Sequence, residues 1–250
     1  MHSIQFAQLG FEAGIRRNTI IEGDFFMHRH DLESNQVHYI PKMTMAEYKK
    51  SYDYRIMKKL IDLCGKGNKV LEVGCGSGFV SRLIKDNGNE VTGVDIQDSA
   101  LREARKKGLK VVKARAQALP FKDASFDVVA MPGMIEHFLE TQDALAEAKR
   151  VLRPGGKLIV ATPNFTSFRD RVLVIFGHMP AYSMHHDHVK FFNRRRLSQE
   201  IRKAGFRLIK TYGSGLGIPI PKMARIFFFA DRVLPSSLLE ALIAYAEKRG

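Results

Sequence analysis

Three groups of residues in this chain have types and spacing suited to chemistry. Gly74, Gly76 and Gly78 follow a short apolar run, Val70, Leu71 and Val73, in the stretch Lys-Val-Leu-Glu-Val-Gly-Cys-Gly-Ser-Gly-Phe from Lys69 to Phe79. Such a run suits a buried parallel strand, and the glycines suit a turn into a helix where a ligand must approach the main chain closely. The free N–H groups at the start of that helix would face a nucleotide-like ligand. Asp95 ends the next apolar run, Val91-Thr-Gly-Val-Asp. About twenty residues beyond a glycine turn, an acid can accept hydrogen bonds from both hydroxyls of a ribose. The third group is histidine: His137 in Ile135-Glu136-His137, and His185, His186 and His188 around Asp187, ahead of Phe191-Phe192. A histidine titrates near neutral pH and can take a proton from an acceptor hydroxyl.

The spacing of the glycines narrows the ligand. A dinucleotide fingerprint would put its third glycine at position 79, which is Phe79, and the loop reads G-x-G-x-G with Glu72 before it; that disfavours NAD and FAD. The loop and the acid together resemble those of the class I S-adenosylmethionine (SAM) dependent methyltransferases, in the methyltransferase type 11 or quinone-biosynthesis-like group. The stretch Arg115-Ala-Gln-Ala-Leu-Pro-Phe-Lys-Asp-Ala-Ser-Phe-Asp-Val-Val, the Ile-Glu-His at 135–137, the Leu-Arg-Pro-Gly-Gly at 152–156 and the H-x-H followed by Phe191-Phe192 extend the likeness from about Lys69 to Tyr212. The resemblance implies a methyltransferase that uses SAM and releases S-adenosylhomocysteine. It implies that Glu72, Gly74, Cys75, Gly76, Gly78, Asp95, Ile96, Ala116, Gln117 and Met131 hold the cofactor. Where similar enzymes place an acid that accepts from the adenine amino group, this chain has Arg115, which has no acceptor; adenine is then left to Ala116 and Gln117.

Acceptor chemistry is narrowed by the motifs beside these. The Asn/Asp-Pro-Pro-Tyr/Phe motif of many amino-group methyltransferases is missing after strand four, which lowers the odds of adenine or glutamine methylation. A hydroxyl acceptor gains from a base, and His137, His186 and His188 are the candidates. His28, His30 and Asp31, and the three histidines around Asp187, are of metal-ligating type, but the sequence assigns no metal. A small or lipid-linked substrate is the expected partner, as in similar quinone-type O-methyltransferases. RNA methylation and SAM sensing without transfer are the alternatives.

The elements that position these residues can be read in order. The fold expected is α/β, a Rossmann-like, seven-stranded, mostly parallel sheet with helices on both faces and an antiparallel last strand. Residues 1–42 form an N-terminal arm or cap, and 43–250 form the methyltransferase domain with lid insertions at about 164–192 and 213–239. Met57, Leu60, Ile61 and Cys64 recur at helical spacing, and Gly65 stops that helix. Phe79, Val80, Leu83 and Ile84 line the first crossover helix; Asp98 or Ser99 can cap the second, and Thr141 a third. Strands are expected at Leu109–Val112, Phe126–Met131, after the turn at Arg153–Gly156, and at Phe206–Tyr212. The segment at Ala241–Lys248 reads as a seventh strand, with a terminal helix as the competitor.

Composition sets the outer bounds. The 250 residues, 45% of them hydrophobic, can bury one sizeable α/β core. Two cysteines make no disulfide framework and no leading apolar segment marks export, so a cytoplasmic protein is expected. The formal charge of +14 favours polyanionic partners. Arg171, Lys222 and Arg225 flank apolar and aromatic residues in the two insertions, which suggests peripheral contact with an anionic membrane; nucleic acid is less favoured, and the oligomeric state is not legible.

Overall fold

The computed structural model describes residues 52–180, 188–215 and 234–249, together with the paired segments Ile20–Glu22 and Phe25–Met27. The chain divides into two units, Met1–Lys42 and Met43–Gly250. In the first, Ile20–Glu22 runs antiparallel to Phe25–Met27 with Ile20 opposite Met27. Segments of three residues are too short to show a period in sequence, which is why that region reads as irregular.

The second unit is built on seven strands: β1 (Lys69–Val73), β2 (Glu90–Asp95), β3 (Lys110–Lys113), β4 (Phe126–Pro132), β5 (Leu152–Pro163), β6 (Phe206–Ser214) and β7 (Ala241–Lys248). They lie in the order β3-β2-β1-β4-β5-β7-β6. The first five are parallel, and β7 is antiparallel to both β5 and β6. The expected Rossmann-like sheet is present, and the last segment is the strand rather than the helix. A helix competes in sequence because β7 is buried on both faces, Leu242, Ala244 and Ala246 on one and Ala241 and Ile243 on the other. Such a run shows neither period. Glu247 lies opposite Lys157 and Arg207 and pairs with both, so one carboxylate ties three strands together at that end.

Alternation along the strands assigns the two faces. Leu71 and Val73 of β1, Val129 and Met131 of β4, and Leu158 and Val160 of β5 point to one side. They are covered there by α4 (Thr141–Val151) through Ala144, Leu145 and Ala148, and by α6 (Arg194–Lys203) through Leu197 and Ile201. Val70, Val128, Ala130 and Ile159 point to the other side, covered by α1 (Tyr52–Cys64) through Ile56, Leu60 and Ile61, and by α2 (Phe79–Asp86) through Ile84. α3 (Asp98–Lys106) buries Ala100, Leu101 and Ala104, and α5 (Phe168–Ile175) follows β5. Residues 43–51, expected to begin the first helix, lie outside the described residues, as do most of the second insertion and its Lys222 and Arg225. Among the described residues no helix is long and apolar enough to cross a membrane.

Three local expectations are corrected. Neither Asp98 nor Ser99 caps α3: Gln97 is the N-cap, and Asp98 lies in the first turn, paired with Lys113. Thr141 is the first residue of α4, and its hydroxyl donates backward to the Phe138 carbonyl and accepts from Lys190. Arg153–Gly156 is not a turn before β5 but part of it. Phe126 pairs with Leu152 and Val128 with Lys157, so the intervening residues bulge out of the ladder.

The turn from β1 into α2 depends on glycine at its last position. Gly78 has φ +80°, and a Cβ there would sit 2.2 Å from a Leu109 methyl and 3.1 Å from Ala104. Gly78→Ala combines left-handed strain with overpacking, an expected loss of about 2–4 kcal/mol. The midpoint of urea unfolding should fall at unchanged m-value; a midpoint like that of the parent would refute this packing.

Candidate functional site

The carboxyl ends of β1 and β4 are neighbours in the sheet, and the chain leaves them in opposite directions, β1 toward β2 and β4 toward β5. In an open α/β sheet that divergence opens a crevice for a ligand. Two loops meet there. A Cβ on Gly74, at φ +78°, would fall 2.0 Å from the Met134 sulfur, so the glycine turn and the loop after β4 are in direct contact.

The glycine turn is held by β2. Gly74 and Cys75 donate their N–H groups to the Val94 carbonyl at 2.8 and 3.0 Å, and Gly76 donates to Asp95 Oδ2 at 2.8 Å. The other carboxylate oxygen, Oδ1, accepts from the Gln97 N–H at 2.9 Å. Asp95 is half-buried, and each oxygen keeps a second lone pair for a ligand hydroxyl. Gly76, at φ +50°, has nothing within 4 Å of where a Cβ would stand, so its open side borders free space beside Asp95. Ile96, the next residue, is 61% exposed, an apolar face at the mouth of the crevice.

The adenine segment is a tight turn. Ala118 donates to the Arg115 carbonyl at 3.0 Å, leaving Ala116 buried, Gln117 half-buried and the Arg115 side chain exposed. Arg150 fixes the next few residues by donating to the carbonyls of Phe121 at 2.7 Å and Leu119 at 2.8 Å, while Glu147 accepts from the Leu119 N–H at 2.7 Å. An open glycine cradle, a two-oxygen acceptor and an exposed apolar side chain fit the ribose, adenine and backbone-facing parts of SAM.

Three expected cofactor residues have side chains that stand further back. Glu72 is 1% exposed, on the α1 and α2 side of the sheet, where its carboxyl bonds the Ser81 hydroxyl of α2. Burial pushes this carboxyl up to about 8, against the lowering effect of Ser81, with the charge of Asp95 adding to the rise. Met131 is 0% exposed within the core. Cys75 is buried and its thiol is pushed up by burial, then by Glu72 and Asp95, so it stays a neutral packing group.

The histidines divide. His186 lies outside the described residues. His137 closes a single 3₁₀ turn, Ile135–His137, after β4, and His188 returns to it from the insertion, the two rings 4.9 Å apart at 65°. The return is clamped: the N–H groups of Val189 and Lys190 both donate to the Glu136 carbonyl at 3.0 Å, and Lys190 reaches Leu139 O and Thr141. Glu136, buried, Thr162, Phe165, His188, Phe191 and Phe192 line a small cavity there. Sequence reasoning misses Glu136 and Thr162; only the adjacency of Glu136 to His137 could draw attention to either.

Asp95 therefore has a structural task beside the ligand role expected of it, and Asp95→Ala should disturb the turn as well as the expected ligand site. It is expected to abolish measurable SAM binding by calorimetry and to cost about 1–3 kcal/mol through two unsatisfied N–H groups; parent-like affinity would remove the ribose role. For Glu72, the unfolded chain loses its proton near pH 4.5 whereas the folded chain keeps it to about 8. Its contribution to stability therefore falls as pH rises through that window. Glu72→Gln should flatten the dependence of unfolding free energy on pH between those values, and an unaltered slope would show that the carboxyl is ionised in place.

The comparisons with known proteins agree with this geometry. A family model described as a methyltransferase domain matches residues 71–160. A ubiquinone biosynthesis O-methyltransferase of Azoarcus sp. is 33% identical over 165 residues, covering 60% of this chain and 69% of that protein. A probable S-adenosylmethionine-dependent methyltransferase of Mycolicibacterium smegmatis is 32% identical over 163 residues, covering 63% of this chain; the chain spans 59% of that relative's length. Among solved structures, a SAM-dependent methyltransferase of Thermotoga maritima shares the fold with a TM-score of 0.62 at 24% identity, covering 79% of this chain and 90% of that one. The glycine turn, Asp95 and the relatives' sequences lead to one assignment: this chain belongs to the class I SAM-dependent methyltransferases, related to those of the ubiquinone-biosynthesis O-methyltransferase type.

Proposed function

We propose that the chain transfers the methyl group of SAM to a hydroxyl oxygen of a small or lipid-linked acceptor. The observation that carries this reading is the meeting of His137 and His188 at the end of β4, next to the crevice that fits SAM. SAM supplies a methyl group already activated on a sulfonium. The protein's part is to align a nucleophile behind that carbon and to exclude water. An alkoxide or phenolate attacks far better than a neutral hydroxyl, and groups at the His137 and His188 position can promote loss of its proton. Phe165, Phe191 and Phe192, beside them, offer apolar surface to a ring or an acyl chain. The Azoarcus relative, a ubiquinone biosynthesis O-methyltransferase, supports the same class of acceptor. The insertions at 164–192 and 213–239 serve in this reading as the lid over the acceptor.

One observation favours a second reading, an RNA acceptor. Arg171, Arg194, Arg195 and Arg202 line a depression of about 570 Å³ with no acidic side chain among the described residues that line it. Thr166 and Asn193 at its border directly follow Phe165 and Phe192 of the small cavity, so an anionic part of the acceptor would find cations beside the acceptor edge.

Methyl-labelled SAM incubated with the protein and a source-cell extract separates the two. Label in lipids or small molecules, stable to conditions that cleave esters, is the expected result, and label in RNA or protein would overturn it. Against the labelled acceptor, His137→Ala and His188→Ala should each lower kcat by roughly 10²-fold or more with SAM affinity little changed.

A further inference from the structure

Four arginines share one depression with no carboxylate to answer them, Arg194, Arg195 and Arg202 from α6 and Arg171 from α5. We propose that this depression binds a diphosphate group carried by the methyl acceptor. The substrate is then a hydroxy compound joined to a diphosphate, with its hydroxyl at the His137 and His188 edge. The inference rests on the hydroxyl acceptor of the proposed function and names the group by which that acceptor is recognised.

Helical spacing builds the cationic wall. Leu197 and Ile201 are buried in the core, while positions 194, 195, 198, 199 and 202 fall together on one flank of α6 and line the depression. Arg195 and Arg202 stand two turns apart, about 10 Å along the axis, which is more than one phosphate fills. Arg171 stands at the rim, where its Nε donates to the Thr166 carbonyl at 2.8 Å. Elsewhere Arg82, Arg150, Arg153, Arg169 and Arg207 each pair with a carboxylate. Arg171, Arg194, Arg195 and Arg202 form no ion pair among the described residues, so their mutual repulsion is left for a bound anion to relieve. A guanidinium fork matches two phosphate oxygens at once. The start of α6 adds donors. Asn193 takes the Arg196 N–H on its side chain and the Leu197 N–H on its carbonyl, which leaves the N–H groups of Arg194 and Arg195 without a partner within the helix.

A junction ties this depression to the acceptor edge. The Phe165 N–H donates to the Phe192 carbonyl at 2.9 Å, and the next residues, Thr166 and Asn193, border the depression. Phe165 and Phe192 themselves line the small cavity that His188 shares. An acceptor lying across this junction would place its apolar part and hydroxyl on one side and its phosphates on the other. An RNA strand spaces single phosphates along its length and needs an extended track of cations; four arginines around one depression favour a compact anion.

Inorganic pyrophosphate is the first probe, with the full chain and with neither SAM nor acceptor present. Calorimetry should show one equivalent bound, more tightly than orthophosphate or sulfate. Arg195→Gln and Arg202→Gln, both at exposed positions, should each weaken binding by about 10-fold, and the double variant should remove it. Arg195→Lys should recover only part, because it keeps the charge and loses the fork. Arg102→Gln combined with Arg105→Gln removes the same charge from the exposed side of α3 and should change nothing. With the acceptor labelled from extract, the Arg195 and Arg202 double variant should raise KM by about 10-fold or more with kcat and SAM affinity little changed. A folded parent that does not bind pyrophosphate overturns the site, as does equal weakening by the α3 pair, which would reduce the effect to overall charge. Binding of phosphatidylglycerol vesicles or an RNA oligonucleotide without binding of pyrophosphate also overturns it, in favour of a membrane or a nucleic acid. The two proposals fail separately. Pyrophosphate held by these arginines with label found only in protein refutes the hydroxyl acceptor alone, whereas O-methylation of a phosphate-free acceptor at unchanged KM in the double variant refutes the diphosphate alone.

Discussion

The carboxylate of Asp95 is the interaction on which the cofactor end of the molecule depends. A glycine turn with three left-handed residues leaves backbone N–H groups that its own strand and helix do not satisfy. Two of them, Gly74 and Cys75, turn to Val94, and a third, Gly76, to Asp95, which also holds the N–H of Gln97 at the start of the next helix. The ends of β1 and β2 are thereby set at one spacing before any ligand arrives. Behind them Glu72 and Ser81 lock the first crossover helix to the underside of the sheet. The residue expected to meet the ribose is also the keystone of the turn beside it, so a ligand there would find both of its carboxylate oxygens already held in place.

On the acceptor side the organising atom is a backbone carbonyl. Glu136 O receives two N–H groups from the returning insertion, and Lys190 adds side-chain contacts to the loop ahead of α4. Phe165 N–H, bonded to the Phe192 carbonyl, stitches the start of the same insertion to its end. A segment of more than twenty residues is thus fixed at its base, beside His137 and His188.

Much of this is legible in the sequence because it is local. Strand and helix periods, glycine stops and the G-x-G-x-G turn are written within windows of ten residues, and they recover the sheet and the turn from β1 into α2. The features that escape depend on side-chain direction or on distant partners. Glu72 lies in the glycine motif, yet alternation along β1 turns it inward, away from the open side of the crevice. Met131 stands at a strand end, where a cofactor contact is expected, and the same alternation puts it in the core. Thr141 has the right residue type for a cap but is engaged by Phe138 and Lys190, and Lys190 is nearly fifty residues away. The convergence of His188 on Glu136 and His137 is invisible to any spacing rule, because a clamp on a carbonyl creates it.

The antiparallel pairing of β6 and β7 has a consequence for how such a protein can change. Gly213 lies opposite Leu242 and Ser214 opposite Ala241, and Glu240 N–H closes the pair on the Gly215 carbonyl at 2.8 Å. Whatever runs between Gly215 and Leu234 leaves and re-enters at adjoining strand ends. The sheet does not register its length, and lengthening a loop with joined ends costs only a logarithm in chain entropy. A connection anchored in this way can change in length in descent while the paired strands keep their register.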